Sequence, residues 1–123
     1  MHYTRQMRLL RSPEFQRAFR QGSRAKAKHL IVVAVERDGP TRLGLSVGKR
    51  IFKHANRRNR LKRVLREAFR LGYSQLPENV DLVIVPAVPG CAPALEEARK
   101  ELHYLAHKAV RRLAEKRTKE AGQ

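Results

Sequence analysis

The chain is 123 residues long, carries a net charge of +17, and is 41% apolar with a single cysteine. That is one domain's worth of chain, enough to bury roughly two thirds of its surface around one modest core, and Cys91 alone excludes an intrachain disulfide or a multi-cysteine zinc site and fits a reducing compartment. Residues 1–70 hold 20 Lys and Arg against 4 acids and residues 71–123 hold 8 against 7, so the charge excess that calls for a polyanion sits in the first part of the chain.

The opening stretch, MHYTRQMRLLRSPEF, is charged throughout and has no apolar secretory core. Ser12-Pro13 reads as a helix N-cap followed by proline at the first helical position. Phe15, Ala18 and Phe19 then share a face at i, i+3, i+4, and Gly22 closes the helix. Residues 23–29 read as a basic loop. HLIVVAVE, residues 29–36, is β-branched and apolar on both faces, which predicts a buried strand. Asp38-Gly39-Pro40 marks a turn, and RLGLSVG, residues 42–48, is expected to return as the second strand of a hairpin. There Leu43, Leu45 and Val47 point one way and Gly44, Ser46 and Gly48 the other. A face of glycine and serine suits either a ligand lying on the sheet or a helix packed closely on small residues.

Residues 55–71 predict a long basic helix. Leu61, Val64, Leu65, Ala68 and Phe69 fall within about 140° of one another, a stripe that faces the core and packs on the sheet. Asn59, Lys62, Arg63, Arg66 and Arg70 gather on the opposite face, and Glu67 is the one acid between residues 54 and 70. Like charges one turn apart cost roughly a few tenths of a kcal/mol per pair, and a solvated structural helix alternates its signs. This face therefore points to phosphate binding on a rigid platform. Asn59 offers a paired donor and acceptor, able to read a base edge, hold neighbouring arginines or bond the helix backbone. RNA is favoured over DNA because no recognition-helix or zinc-finger signature is present. An anionic membrane is disfavoured because the helix turns arginines outward without large apolar residues.

DLVIV, residues 81–85, is a third buried strand, followed by the loop AVPGCAP. The longest uncharged apolar run, residues 82–95, is broken by three prolines and falls short of the about 20 residues that a bilayer needs, so a cytoplasmic protein is expected. Residues 94–114 predict a closing helix with Leu95, Ala98, Leu102, Leu105, Ala109 and Leu113 on one stripe. Residues 1–115 then make one domain, and residues 116–123 (KRTKEAGQ) a disordered tail. The order α-β-β-α-β-α gives an α+β sandwich with a small, mostly antiparallel sheet and the basic helix as a crossover between parallel strands. His103 and His107, at i, i+4, have no third ligand and read as surface histidines. Cys91 has no charged neighbour to activate it. No Ser/His/Asp set, paired catalytic carboxylates or glycine-rich phosphate loop stands out, so no catalytic side chain is expected.

The run LGLSVGKRIFKHANRRNRLKRVLREAFR resembles the central signature of the bacterial ribonuclease P protein subunit. Ser46-Val47, Lys49-Arg50, Arg58-Asn59-Arg60, Lys62-Arg63 and Arg66 fall on its pattern, as do Leu9, Phe15, Phe19 and Gly22 upstream and residues 81–85 downstream. The chain departs from that pattern at Phe52, where a glycine is usual, at Val33, where an aromatic is frequent, and at Pro86-Ala87, where a basic residue is common. The resemblance implies an accessory protein of a ribonucleoprotein whose large RNA cleaves the 5′ leader from precursor tRNA with magnesium held mostly by RNA. It implies that Lys49, Arg50, Arg57, Arg58, Asn59, Arg60, Lys62, Arg63, Arg66 and Arg70 contact the catalytic RNA. It also implies that Phe15, Phe19, Gly44 and Ser46 line a cleft for the leader, where aromatic rings stack on bases of any sequence; ordinary core packing is the competing role for either phenylalanine. A ribosomal protein or assembly factor without enzymatic activity is the alternative, and a protein-only nuclease would need a carboxylate cluster that the sequence lacks.

Overall fold

The computed structural model describes Arg8, residues 11–48 and residues 53–121; Leu9, Lys49, Arg50 and Phe52 thus lie outside the described residues. In chain order the elements are α1 (Ser12–Gln21), β1 (Ser23–Lys26), β2 (Leu30–Glu36), β3 (Arg42–Leu45), α2 (Ala55–Gly72), a 3-10 turn (Tyr73–Gln75), β4 (Val80–Pro86) and α3 (Leu95–Ala121). The class is α+β with a small, mostly antiparallel sheet, as the sequence predicts. The strands lie in the order β1-β2-β4-β3. β2 runs antiparallel to β1 and β4, and β3 runs parallel to β4, so α2 is the crossover between two parallel neighbours.

Three expectations need correction. Residues 23–29 are not all loop: Ser23–Lys26 pairs along β2 as an edge strand, from Ser23 opposite Ala34 to Lys26 opposite Ile31. β2 and β3 do not form a hairpin, because β4 lies between them, paired from Leu30–Pro86 to Glu36–Val80 on one side and from Arg42–Asp81 to Leu45–Ile84 on the other. β4 is the most completely buried strand, at all but Val85, so a central position covers both its edges and both its faces. Finally, α3 continues to Ala121 through residues read as tail. Leu113 is buried and Arg117 pairs with Glu36, which gives that last stretch a surface to lie on.

The start of α1 also differs in detail. Arg11, not Ser12, is its N-cap, and the Glu14 carboxylate accepts the Arg11 backbone N–H at 3.0 Å. Gly22 does end the helix, but its φ of −82° is open to any residue. Glycine is needed there for space: a Cβ would come within 2.5 Å of both the Ala18 and Ala34 carbonyl oxygens. At Gly39 conformation does decide, since its φ of +137° lies where side chains are disfavoured.

The two sheet faces are covered unequally. On one, Leu30, Val32, Ala34, Leu43, Leu82 and Ile84 meet Leu61, Leu65, Ala68 and Phe69 of α2 and Ala98, Leu102, Leu105 and Ala109 of α3 in the main core. α2 reaches this core mainly beside α3 and touches the sheet itself only lightly at β3, where the sequence predicts packing on the sheet. On the other face a small cluster of Ala18, Val33, Val35 and Val83 lies under α1, with Phe15, Ile31 and Val85 half-buried around it.

Candidate nucleic-acid interface

α2 is held from its buried side. Phe69 meets Tyr73 edge-on at 5.2 Å between ring centroids, and the Tyr73 hydroxyl donates to the Thr41 carbonyl at 3.0 Å. Thr41, itself buried, donates to the Pro77 carbonyl at 2.6 Å. The helix is thereby fixed at its C-terminal end while its outer face stays wet. Arg57, Asn59, Arg60, Arg63 and Arg66 are exposed, and Arg58, Lys62 and Arg70 are half-buried. Arg57, Arg60, Lys62, Arg63 and Arg66 have no acidic partner among the described residues. Arg58 reaches back to the Lys53 carbonyl. The one acid, Glu67, is taken by Arg70, whose guanidinium holds the Glu67 carboxyl below its usual range, while Glu67 holds Arg70 above its own.

The N-terminal turn of α2 adds to this field. It carries no acidic residue, and His54 at the N-cap supplies no side-chain hydrogen bond. The positive end of the helix dipole thus adds to the charge of Arg57 and Arg60. Together these groups spread positive charge along the length of the helix, suited to successive phosphates.

The second surface lies on the far side of the sheet. Phe15 is half-buried against the small cluster under α1, beside Ile31 and Val85, and Phe19 is 39% exposed. Gly44, opposite Val83, is buried, and the small-residue face is closed there; Ser46 is half-buried and donates its N–H to the Ile84 carbonyl at 2.9 Å. Cross-strand register sets Lys26, Ile31 and Val85 in one row and Arg24, Val33, Val83 and Gly44 in the next. Residues opposite each other share a face, so exposed Arg24 and Lys26 edge the same face as half-buried Ile31 and Val85. The sequence reading missed both cations because it left them in a loop; their alternation with buried Ala25 is the signal that would have found them.

α1 is clasped onto this face by a network that sequence reasoning also missed. Asp81 on β4 is 2% exposed, and Arg42 of β3 grips it with Nε and Nη2, both at 2.8 Å. The same guanidinium reaches Glu14 of α1 at 2.6 Å, and Arg37 stands 3.8 Å from Asp81. The hydrogen bond to Asp81, then the charges of Asp81 and Glu14, outweigh burial and raise the Arg42 pKa. Glu14 thus caps α1 and ties it to the sheet, which fixes where Phe15 and Phe19 stand. A lone aspartate in an apolar strand was the available hint that a cation must be near.

The features set aside from sequence have structural roles. His107 Nε2 is 2.8 Å from the Gln75 carbonyl, and its ring lies 4.7 Å from that of His103. Cys91 is buried, and burial pushes its thiol pKa up, away from reactivity at neutral pH. Among the described residues no group of three His, Cys, Asp or Glu could hold a metal ion, and no helix is long and apolar enough to cross a membrane.

The ribonuclease P family matches residues 3–110. A ribonuclease P protein component from Photobacterium profundum is 37% identical over 110 residues, which is 89% of this chain and 92% of the relative. Its counterpart from Oleidesulfovibrio alaskensis is 46% identical over 85 residues, 67% of either chain. Among solved structures, the ribonuclease P protein of Staphylococcus aureus has the same fold, with a TM-score of 0.72 at 24% identity over 84% of this chain and 94% of that one. The Thermotoga maritima protein gives 0.60 at 26% identity over 87% and 90%.

Proposed function

The chain belongs to the ribonuclease P protein family, and from that premise we propose that its two surfaces hold two RNAs. In this reading α2 binds the large catalytic RNA of the particle, and the α1 cleft binds the 5′ leader of precursor tRNA. The protein component of a ribonucleoprotein that processes tRNA must bind RNA, and the single observation that assigns this task to α2 is its row of cations without acidic partners. Phe19, Ile31 and Val85 offer apolar area to unstacked bases, and Arg24, Lys26 and Ser46 offer charge and polar groups at the margin. Such a surface suits a single strand without demanding its sequence.

The physical role follows from charge. A leader and a catalytic RNA are both polyanions, and bringing them together costs repulsion that counterions must screen. A protein with a cationic helix on one flank and a basic-edged cleft on another lowers that cost by occupying the space between them. Magnesium enters as the RNA's ion in this account, since Glu67, the acid on the α2 face, is engaged by Arg70. The chemistry of leader removal is assigned to the RNA, and the cytoplasm is the compartment where the two RNAs meet.

The test is cleavage of a leader-bearing precursor tRNA by the cognate catalytic RNA at low magnesium, without protein, with protein, and with Arg58→Ala/Arg60→Ala protein. Stimulation by the wild type that the double variant loses supports the reading. Wild-type protein that binds RNA yet leaves cleavage unchanged would point to a ribosomal or assembly role instead.

A further inference from the structure

α3 runs on past the part of the chain that the family accounts for. The family match ends at residue 110, whereas the helix continues to Ala121. That added stretch does not project into solvent alone. Buried Leu113 and buried Val35 form the floor of a groove of about 340 Å³ between the ends of α1 and α3. Arg17 and Arg20 stand on the α1 wall, and Lys116 and Arg117 on the α3 wall. Two acids share the groove, Glu36 and Glu120; Glu36 pairs with Arg117, while Arg17, Arg20 and Lys116 have no acidic partner among the described residues. Four cations against two acids leave the groove with a net positive charge that suits an anion.

We propose that the α1–α3 groove is a second RNA-backbone site, which takes leader phosphates upstream of the nucleotides that occupy the α1 cleft. The inference rests on the reading of that cleft as the leader site. α1 is the wall that the two share: exposed Phe19 on the cleft side is followed directly by Arg20 on the groove side. A strand leaving the cleft over α1 therefore meets Arg20 and Arg17 and then Lys116. The groove offers charge and an apolar floor, with no exposed aromatic ring on which to stack a base, so it favours the backbone over the bases. A longer leader should gain affinity from it, whatever its sequence.

The experiment measures the affinity of the holoenzyme, assembled with the cognate catalytic RNA, for precursor tRNAs with no leader, a leader of about 4 nucleotides and a leader of about 16. The proteins compared are the wild type, Arg17→Ala/Arg20→Ala and Lys116→Ala/Arg117→Ala. For the wild type, each lengthening should tighten binding. Either double variant should lose about tenfold at low salt from the long-leader complex, with short-leader affinity and assembly with the catalytic RNA unchanged, which also shows that the variants are folded. Equal long-leader affinity in variant and wild type, or no gain from the longer leader in the wild type, overturns the proposal. A loss that appears already in assembly with the catalytic RNA assigns the groove to that RNA and overturns it as well. Failure of the short leader to bind more tightly than none would count separately, against the cleft.

Discussion

Arg42 and the arginines of α2 use one side chain in opposite ways. Arg42 is 18% exposed and has a full set of partners from inside the chain, bidentate on buried Asp81 and in contact with Glu14. Arg60, Arg63 and Arg66 stand on α2, anchored through Phe69 and Tyr73, and form no ion pair among the described residues. Under the reading proposed above, the contrast marks where the fold ends and the partner begins. Where a cation serves the structure, the chain supplies the carboxylate; where it does not, the counter-charge is left to come from outside.

The comparison breaks most visibly at Arg42. Arg42→Ala leaves Asp81 buried without its cation and removes the link to α1, and a cost of about 3 kcal/mol is expected, read as a lowered urea midpoint at unchanged m-value. A loss below about 1 kcal/mol would mean that the clasp is incidental. Glu101 is the next test of internally partnered charge. Its Oε1 accepts the His29 and Leu30 backbone N–H groups, each at 3.1 Å, and its Oε2 lies 2.5 Å from His29 Nδ1. Glu101→Ala strands two N–H groups at the start of β2 and should cost about 2 kcal/mol, with amide exchange quickened first at Leu30.

Glu67 sharpens the other side. Glu67→Gln removes the one acid of the α2 face and should strengthen binding of the catalytic RNA by about twofold to fivefold, measured by filter binding at fixed salt. Unchanged or weakened binding would place this pair outside the interface. Its effect on stability has a definite sign. Arg70 lowers the folded-state pKa of Glu67, so its contribution is present above the ordinary carboxylate range and is lost as pH falls through the lowered value. A pH series on wild type and Glu67→Gln should converge at the acid end.

How far the sequence revealed all this depended on how local each signal was. The helices, β2 and β4 were legible because each carries its own periodicity. The basic rail of α2 was legible for the same reason, since 3.6-residue geometry alone sorts Leu61 and Leu65 from Arg63 and Arg66. β1 was hidden because SRAK has one buried residue and becomes a strand only by pairing with β2. The false hairpin came from a true turn: Asp38-Gly39-Pro40 does reverse the chain, but a turn cannot report that β4, arriving about 40 residues later, takes the place between β2 and β3. The clasp joins residues 39 apart from β3 to β4 and reaches back to α1, a distance over which composition says nothing. The end of α3 looked like a tail because KRTKEAGQ is polar; what holds the helix there is Leu113 below and Glu36 beside it.

The most direct test of the account measures stability and RNA binding together on Arg63→Ala/Arg66→Ala. Urea unfolding should move by no more than about 0.5 kcal/mol. Binding to the cognate catalytic RNA should weaken, and the slope of log affinity against log salt should fall by roughly 0.9 for each phosphate contact removed. A variant that loses stability while keeping wild-type affinity and salt slope would show that these arginines serve the fold, and would contradict the division drawn here.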